Sequence, residues 1–260
     1  MTQLLDILIP AYNNLCGIKR ILNFIPTSVY PKLRIVISDD SNNHEIENYL
    51  IELSLDLKIT YVSGPKNGAI NNWNSLLQYV ESDFFVLLHH DEAIVNFKFL
   101  EYLSNIQERR KFALILPYKV QSKNKTWTII DSCLQKTFLE KYMNYLPYIN
   151  FLGPTSSLVV SKHFSVIKFS NDLNWLVDCY WYYQVLSDRN VTVEYNFDFS
   201  IHSYYYSDSI TWSSNGAVKS LFIEEVKLIK KKLKDRGSIV YIYLVKILYK
   251  LAKICKNSFR

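Results

Sequence analysis

Four short, continuous apolar runs, each parted from the next by a segment of helical character, constrain this chain more than any other feature. Leu4–Ile9 ends at Pro10, Leu33–Ser38 ends at Asp39 and Asp40, and Lys58–Val62 and Phe84–Leu88 follow. Between them lie Leu15–Phe24, Glu45–Leu53 and Ile70–Val80, which have helical character. A strand covered on both faces reads as an unbroken apolar run, and strands alternating with helices build a parallel sheet. The fold class is therefore α/β. Ligands of such sheets sit beyond the carboxyl ends of the strands. Polar residues collect at those ends: Ala11-Tyr12-Asn13-Asn14, Asp39-Asp40 and His89-His90-Asp91-Glu92.

The chain is regular through about residue 95 and less so from 96 to 215. In that second stretch Phe112–Leu116, Leu158–Val160 and Val191–Phe197 are expected as strands of mixed direction, and Trp175–Leu186 as a helix. The 260 residues suffice for one large domain, read here as 1–215, followed by a helical tail over 216–260. Asp6 and Pro10 interrupt the first apolar run, which lacks a basic leader, so it is expected to be a buried strand and not a signal peptide. Cys16, Cys133, Cys179 and Cys255 have no metal-binding spacing and are expected as reduced core residues of a cytosolic protein.

Charge divides the chain unevenly. From Lys219 to Arg260 there are twelve Lys/Arg against Glu224, Glu225 and Asp235, a net +9; the whole chain is +6, so the preceding 218 residues carry −3. A mildly acidic body argues against a nucleic-acid partner. Within the tail, Lys246, Lys250 and Lys253 fall on one helix face, with Leu244, Leu248, Leu251 and Cys255 opposite. A lysine stripe argues against a membrane span and for a helix lying in the plane of a membrane surface, its lysines toward anionic head groups. Twenty Tyr, fourteen Phe and five Trp exceed what a core of this size needs and suit stacking on sugar rings.

An acid after the second strand, Asp39, can accept hydrogen bonds from a base or ribose. Asp91 after the fourth can hold a divalent metal against a diphosphate. No GxGxxG or GxxxxGK[ST] sequence is present, which leaves a nucleotide held through its base and a metal. The series ILIPAYNN (7–14), ISDDSN (37–42), KNGAINNWN (66–74) and FFVLLHHDE (84–92) resembles, in order and spacing, the N-terminal half of a family 2, GT-A-fold glycosyltransferase.

That resemblance implies a Rossmann-like nucleotide-binding half over 1–95 and an acceptor and catalytic half over 96–215. Pro10, Ala11 and Tyr12 would line the base pocket, Asp39 would bond the base with Asp40 beside it, and Asn67, Gly68 and Asn72 would lie near ribose and diphosphate. Asp91 would be the metal ligand of a DxD motif whose first acid is replaced by His89, with His90 next to it and Mn2+ or Mg2+ as the ion. Asp178, the one acid in Asn174–Trp181, would be the base that activates the acceptor hydroxyl, and Asp172 is the alternative. Gly153, Pro154 and Thr155 resemble an acceptor-side loop, with Trp181 on the same side, and His202 resembles a late residue that touches diphosphate or metal. The implied activity is inverting transfer from a UDP-sugar to a lipid-linked oligosaccharide in O-antigen or capsule synthesis, on the inner face of the cytoplasmic membrane. The rivals are a nucleotidyltransferase, which would want a glycine-rich basic loop after the first strand, and a non-catalytic sugar- or membrane-binding module.

Overall fold

The computed structural model describes residues 3–106, 111–121, 127–204 and 217–258. The first half follows the apolar runs: β1 (Leu5–Ala11), α1 (Leu15–Phe24), β2 (Leu33–Asp39), α2 (Glu45–Glu52), β3 (Lys58–Ser63), α3 (Ala69–Leu76) and β4 (Phe84–Leu87). All seven residues of β1 and of β2 are buried, as expected of central parallel strands. Asp6 tolerates this burial because Arg34, its partner across the ladder, donates through Nε at 2.9 Å and Nη2 at 2.8 Å. Burial alone would raise the Asp6 pKa, but the Arg34 guanidinium, the Ser82 hydroxyl and two backbone N–H groups outweigh it and hold it below its ordinary value.

The second half contributes β5 (Glu92–Ile94), α4 (Phe99–Leu103), β6 (Phe112–Ile115), β7 (Tyr118–Gln121), β8 (Trp127–Ile130), α5 (Ser132–Tyr142), β9 (Leu158–Ser161), α6 (Val177–Leu186), β10 (Thr192–Tyr195) and β11 (Ile201–Ser203). A seven-stranded sheet runs β10-β6-β9-β4-β1-β2-β3, with β9 antiparallel to both neighbours. A second sheet, β5-β11-β7-β8, has no counterpart in the sequence reading. Its strands are three or four residues long, too short to display a period. Because β4 belongs to the large sheet and β5 to the small one, His89, His90 and Asp91 form the seam between them.

Two helices follow, α7 (Ala217–Leu233) and α8 (Ile239–Ser258). Both pack on the body, through Phe222, Val226 and Ile229 of α7 and Ile242, Val245 and Tyr249 of α8. The lysine side of α8 turns partly toward the protein, not wholly outward: Lys246 Nζ lies 4.0 Å from the centre of the Phe222 ring. Two cysteines also depart from expectation. Cys16 and Cys133 are exposed and Cys179 is buried, while the side chain of Cys255 lies outside the described residues.

Candidate active site

The loops after β1 and β2 are tied together by their own polar side chains. Asn14 caps α1 by accepting from the Gly17 N–H at 2.8 Å. Asn13 takes a left-handed φ of 47°, which aims its N–H at the Ser41 hydroxyl, 2.7 Å away. Asp39, 2% exposed, accepts from the Ser41 N–H at 2.9 Å and the Tyr61 hydroxyl at 3.3 Å. Asp40 accepts from the Lys66 N–H at 2.8 Å and so draws the Lys66–Gly68 loop inward. Gly68 has φ 103°, a conformation that favours glycine, and it opens α3. Asn72 donates to the Ser38 carbonyl at 3.1 Å, while its buried side-chain oxygen has no partner. Pro10 and Ala11 are buried beneath this rim, and Tyr12 is exposed on it.

The seam at His89–Asp91 is held from several directions. Arg20 of α1 donates to the His90 carbonyl at 2.7 Å, and its guanidinium lies 4.2 Å from the centre of the Tyr204 ring. The Tyr204 N–H in turn donates to the Asp91 carbonyl at 2.8 Å. Gly17 must be glycine here: a Cβ would stand 2.3 Å from the His90 carbonyl oxygen. The His89 ring packs on Trp73, 4.8 Å between centres.

Ligand atoms of His89, Asp91 and Glu92 all lie within 4.8 Å of one another. Burial pushes the His89 pKa down to about 4, so its ring is neutral near pH 7, and its buried Nε2 has no partner. Burial first, then the neighbouring Asp91, pushes Glu92 well up. One neutral imidazole and two crowded carboxyl groups fit a divalent cation. His202 is not part of this cluster; it lies on β11, opposite Ala93 in the ladder with β5, with its ring 4.9 Å from that of Trp127.

The opposite wall comes from α6 and the loop before β9. Asp178 occupies the first turn of α6, and its Oδ1 is shut off from solvent without a partner. That burial raises its pKa to about 7. After burial and Asp91, its charge is a lesser contribution to the raised pKa of Glu92. Tyr182 of α6 donates to the Gly153 carbonyl at 3.0 Å and so locks the loop to the helix. Gly153 itself has φ 101°, and a Cβ there would stand 2.2 Å from the Tyr118 ring. Thr155 and Ser157 bury hydroxyls that have no partner, and Pro154 is partly exposed. Buried polar atoms are seldom left unsatisfied. Those of Asn72, His89, Thr155, Ser157 and Asp178 belong to elements around this one seam, as at a site completed by a ligand.

Two sequence expectations are corrected here. Trp181 is 2% exposed, stacks on Phe169 at 4.8 Å and donates its indole N–H to the Ile167 carbonyl, so it is core and not an acceptor contact. Asp172 is exposed and paired with Lys232 at 2.7 Å, without the seclusion that Asp178 has. Sequence reasoning also missed Glu225 of α7. Its carboxylate, 3% exposed, accepts from the Asn174 N–H at 2.7 Å, the Trp175 N–H at 3.0 Å and the Leu176 N–H at 2.8 Å. These N–H groups precede the helix that carries Asp178, which has no side-chain cap of its own. No local signal marks Glu225, because it lies 49 residues beyond Leu176.

Comparison with known proteins agrees with this architecture. Two solved structures share the fold: TarS residues 1–349 from S. aureus, solved with UDP-GlcNAc, and the mannosyltransferase PcManGT from Pyrobaculum calidifontis, solved with GDP-Man and Mn2+. The first is 15% identical, with a TM-score of 0.66 over 95% of this chain and 71% of that one. The second is 14% identical, with a TM-score of 0.60 over 97% and 71%. No curated protein matches the chain. The pattern of Glycosyl transferase family 2 matches residues 6–173, which takes in the strand-end loops, the metal-competent seam and the loop before β9. The chain belongs to glycosyl transferase family 2.

Proposed function

We propose that this glycosyltransferase moves a sugar, with inversion, from a UDP-sugar to a hydroxyl of a lipid-linked saccharide during surface-polysaccharide synthesis of the O-antigen or capsule kind, at the inner face of the cytoplasmic membrane. One observation carries the reading: Asp178 presents a secluded, unpartnered carboxyl oxygen, and the seam groups His89, Asp91 and Glu92 as a metal could be held. The donor and metal in the two related structures support the nucleotide-sugar part of it.

Asp39 and Asp40 hold the loops that form the nucleotide pocket, with Tyr12 over the base. Asp91, with His89 and Glu92, would hold Mn2+ or Mg2+, which supplies positive charge opposite the diphosphate. Asp178 takes the proton of the acceptor hydroxyl as that oxygen bonds to the anomeric carbon, and the bond from that carbon to the diphosphate oxygen breaks. A base with a pKa near 7 is well matched to this task at neutral pH. The walls of the Gly153–Ser157 loop exclude water from the reacting atoms.

The test is nucleotide release from a panel of UDP- and GDP-sugars, with Mn2+, Mg2+ or chelator, and with lipid-linked acceptors present. Asp178→Asn should bind the donor normally and lose roughly a hundredfold or more in turnover, the usual span for removing a general base. Asp91→Ala should weaken donor binding in the presence of metal. Undiminished turnover by Asp178→Asn would remove it from the role of base.

A further inference from the structure

The helix α8 is apolar on two opposite sides. One is used by the fold: Tyr249 packs against Phe138 at 4.9 Å and Phe151 at 5.2 Å, and its hydroxyl donates to the Phe151 carbonyl at 3.3 Å. The other is not. Val240, Leu244, Ile247, Leu248, Leu251 and Ile254 lie between 48% and 62% exposed. At about 100° per residue they form one stripe, and no charged residue falls within it. Isolated exposed leucines are ordinary, whereas a contiguous aliphatic stripe of this length marks an interaction surface.

The charges around the stripe identify the partner. Lys250 stands exposed at its edge, and Lys231, Lys234 and Arg236 are exposed at the turn that leads into α8. Asp235, the acid of that turn, is already paired with Lys230 at 2.9 Å. The spacing of the stripe would also serve a seam between two copies of the helix, but copies pairing there would bring basic flanks together with no acid on α8 to offset them. No helix among the described residues is long and apolar enough to cross a membrane. Aliphatic side chains beside lysines whose stems can reach outward suit a helix lying in the head-group region of an anionic bilayer.

We propose that the outward face of α8, flanked by Lys234, Arg236 and Lys250, docks this enzyme on an anionic lipid surface. The inference rests on the reading of a membrane-borne acceptor and gives it a location. Phe151, under Tyr249, lies two residues before Gly153, so docking would put the acceptor-side loop about one helix diameter, roughly 10 Å, from the head groups.

Co-sedimentation of the full chain with vesicles tests it, using phosphatidylcholine alone and phosphatidylcholine mixed with phosphatidylglycerol. Wild type should pellet with the anionic vesicles and be released by salt. The double variant Leu244→Glu/Leu251→Glu should bind at least roughly tenfold more weakly, since two buried aliphatic contacts are lost. Both changes are on exposed positions, and an unaltered thermal midpoint would show that the fold is kept. Asp178→Asn should pellet like wild type, which separates lipid binding from transfer. Failure to bind either vesicle, or equal binding by wild type and the double variant, would overturn the proposal. So would a wild-type dimer that the double variant converts to monomer, which would assign the stripe to a second copy.

Discussion

Asp178 carries the sharpest consequences of burial for a single residue. With its pKa raised to about 7, kcat/KM should climb as pH rises through that value, because only the ionised form accepts a proton. Stability should move the other way. The folded state holds the proton more tightly than the unfolded chain, so the stabilisation is complete below about pH 4 and is lost as pH rises toward 7. Asp178→Asn removes the cost of ionising this group, so its stability relative to wild type should be greater at pH 8 than at pH 5, by on the order of 3 kcal/mol or less, read from thermal midpoints at the two pH values. Gly153→Ala should fail more simply. A positive φ costs a side chain about 1–2 kcal/mol before the overlap with Tyr118 is counted, so a loss of several degrees in melting temperature is expected. Residues of this kind were legible unevenly. Asp178 was singled out through a resemblance in Asn174–Trp181, which lies beyond the family-matching residues 6–173, and Asp39 through its place at a strand end. Trp181 was misassigned because an aromatic residue in a catalytic helix looks the same in sequence whether it faces a sugar or Phe169.

Among elements, the decisive pairing is α7 with α6. Glu225 accepts from the N–H groups of Asn174 and Trp175 just before the helix and of Leu176 at its N-cap, so it fixes the segment leading into α6 and sets a negative charge at the positive end of its dipole. Glu225→Ala should cost about 2–3 kcal/mol of stability, and it should lower kcat more than it raises KM for the donor, because the nucleotide pocket is built elsewhere. Glu225→Gln, which can accept fewer of these bonds, should recover part of both. A purely structural role would leave the kcat and KM effects in proportion at permissive temperature. The first half was readable because β1 and β2 are fully buried runs of seven residues, and β3 and β4 follow them as shorter apolar runs parted by helical segments. Strands β5 and β11 were not, since three residues fix no period and their pairing is a matter of tertiary contact.

For the whole molecule, the sequence separates a nucleotide half from an acceptor half but does not show how the halves are joined. Besides the pairing of β4 with β9, a column of rings joins them, His89 on Trp73, Trp73 on Phe169 and Phe169 on Trp181, reaching from the metal-competent seam to the helix that carries Asp178. Its members run from residue 73 to residue 181, so no window of sequence contains it. The borrowed cap has a consequence in time as well as space. Chains are made from the amino end, and domains begin to fold during synthesis. The family-matching portion ends at residue 173, yet the helix bearing Asp178 gains its cap only after Glu225 has left the ribosome. A nascent or clipped chain that stops short of α7 lacks the contacts that fix the start of the helix carrying Asp178, the proposed base. On the proposed roles, such a fragment should hold a nucleotide sugar and fail to transfer it, so α7 would serve the catalyst while α8 beside it serves the proposed anchorage.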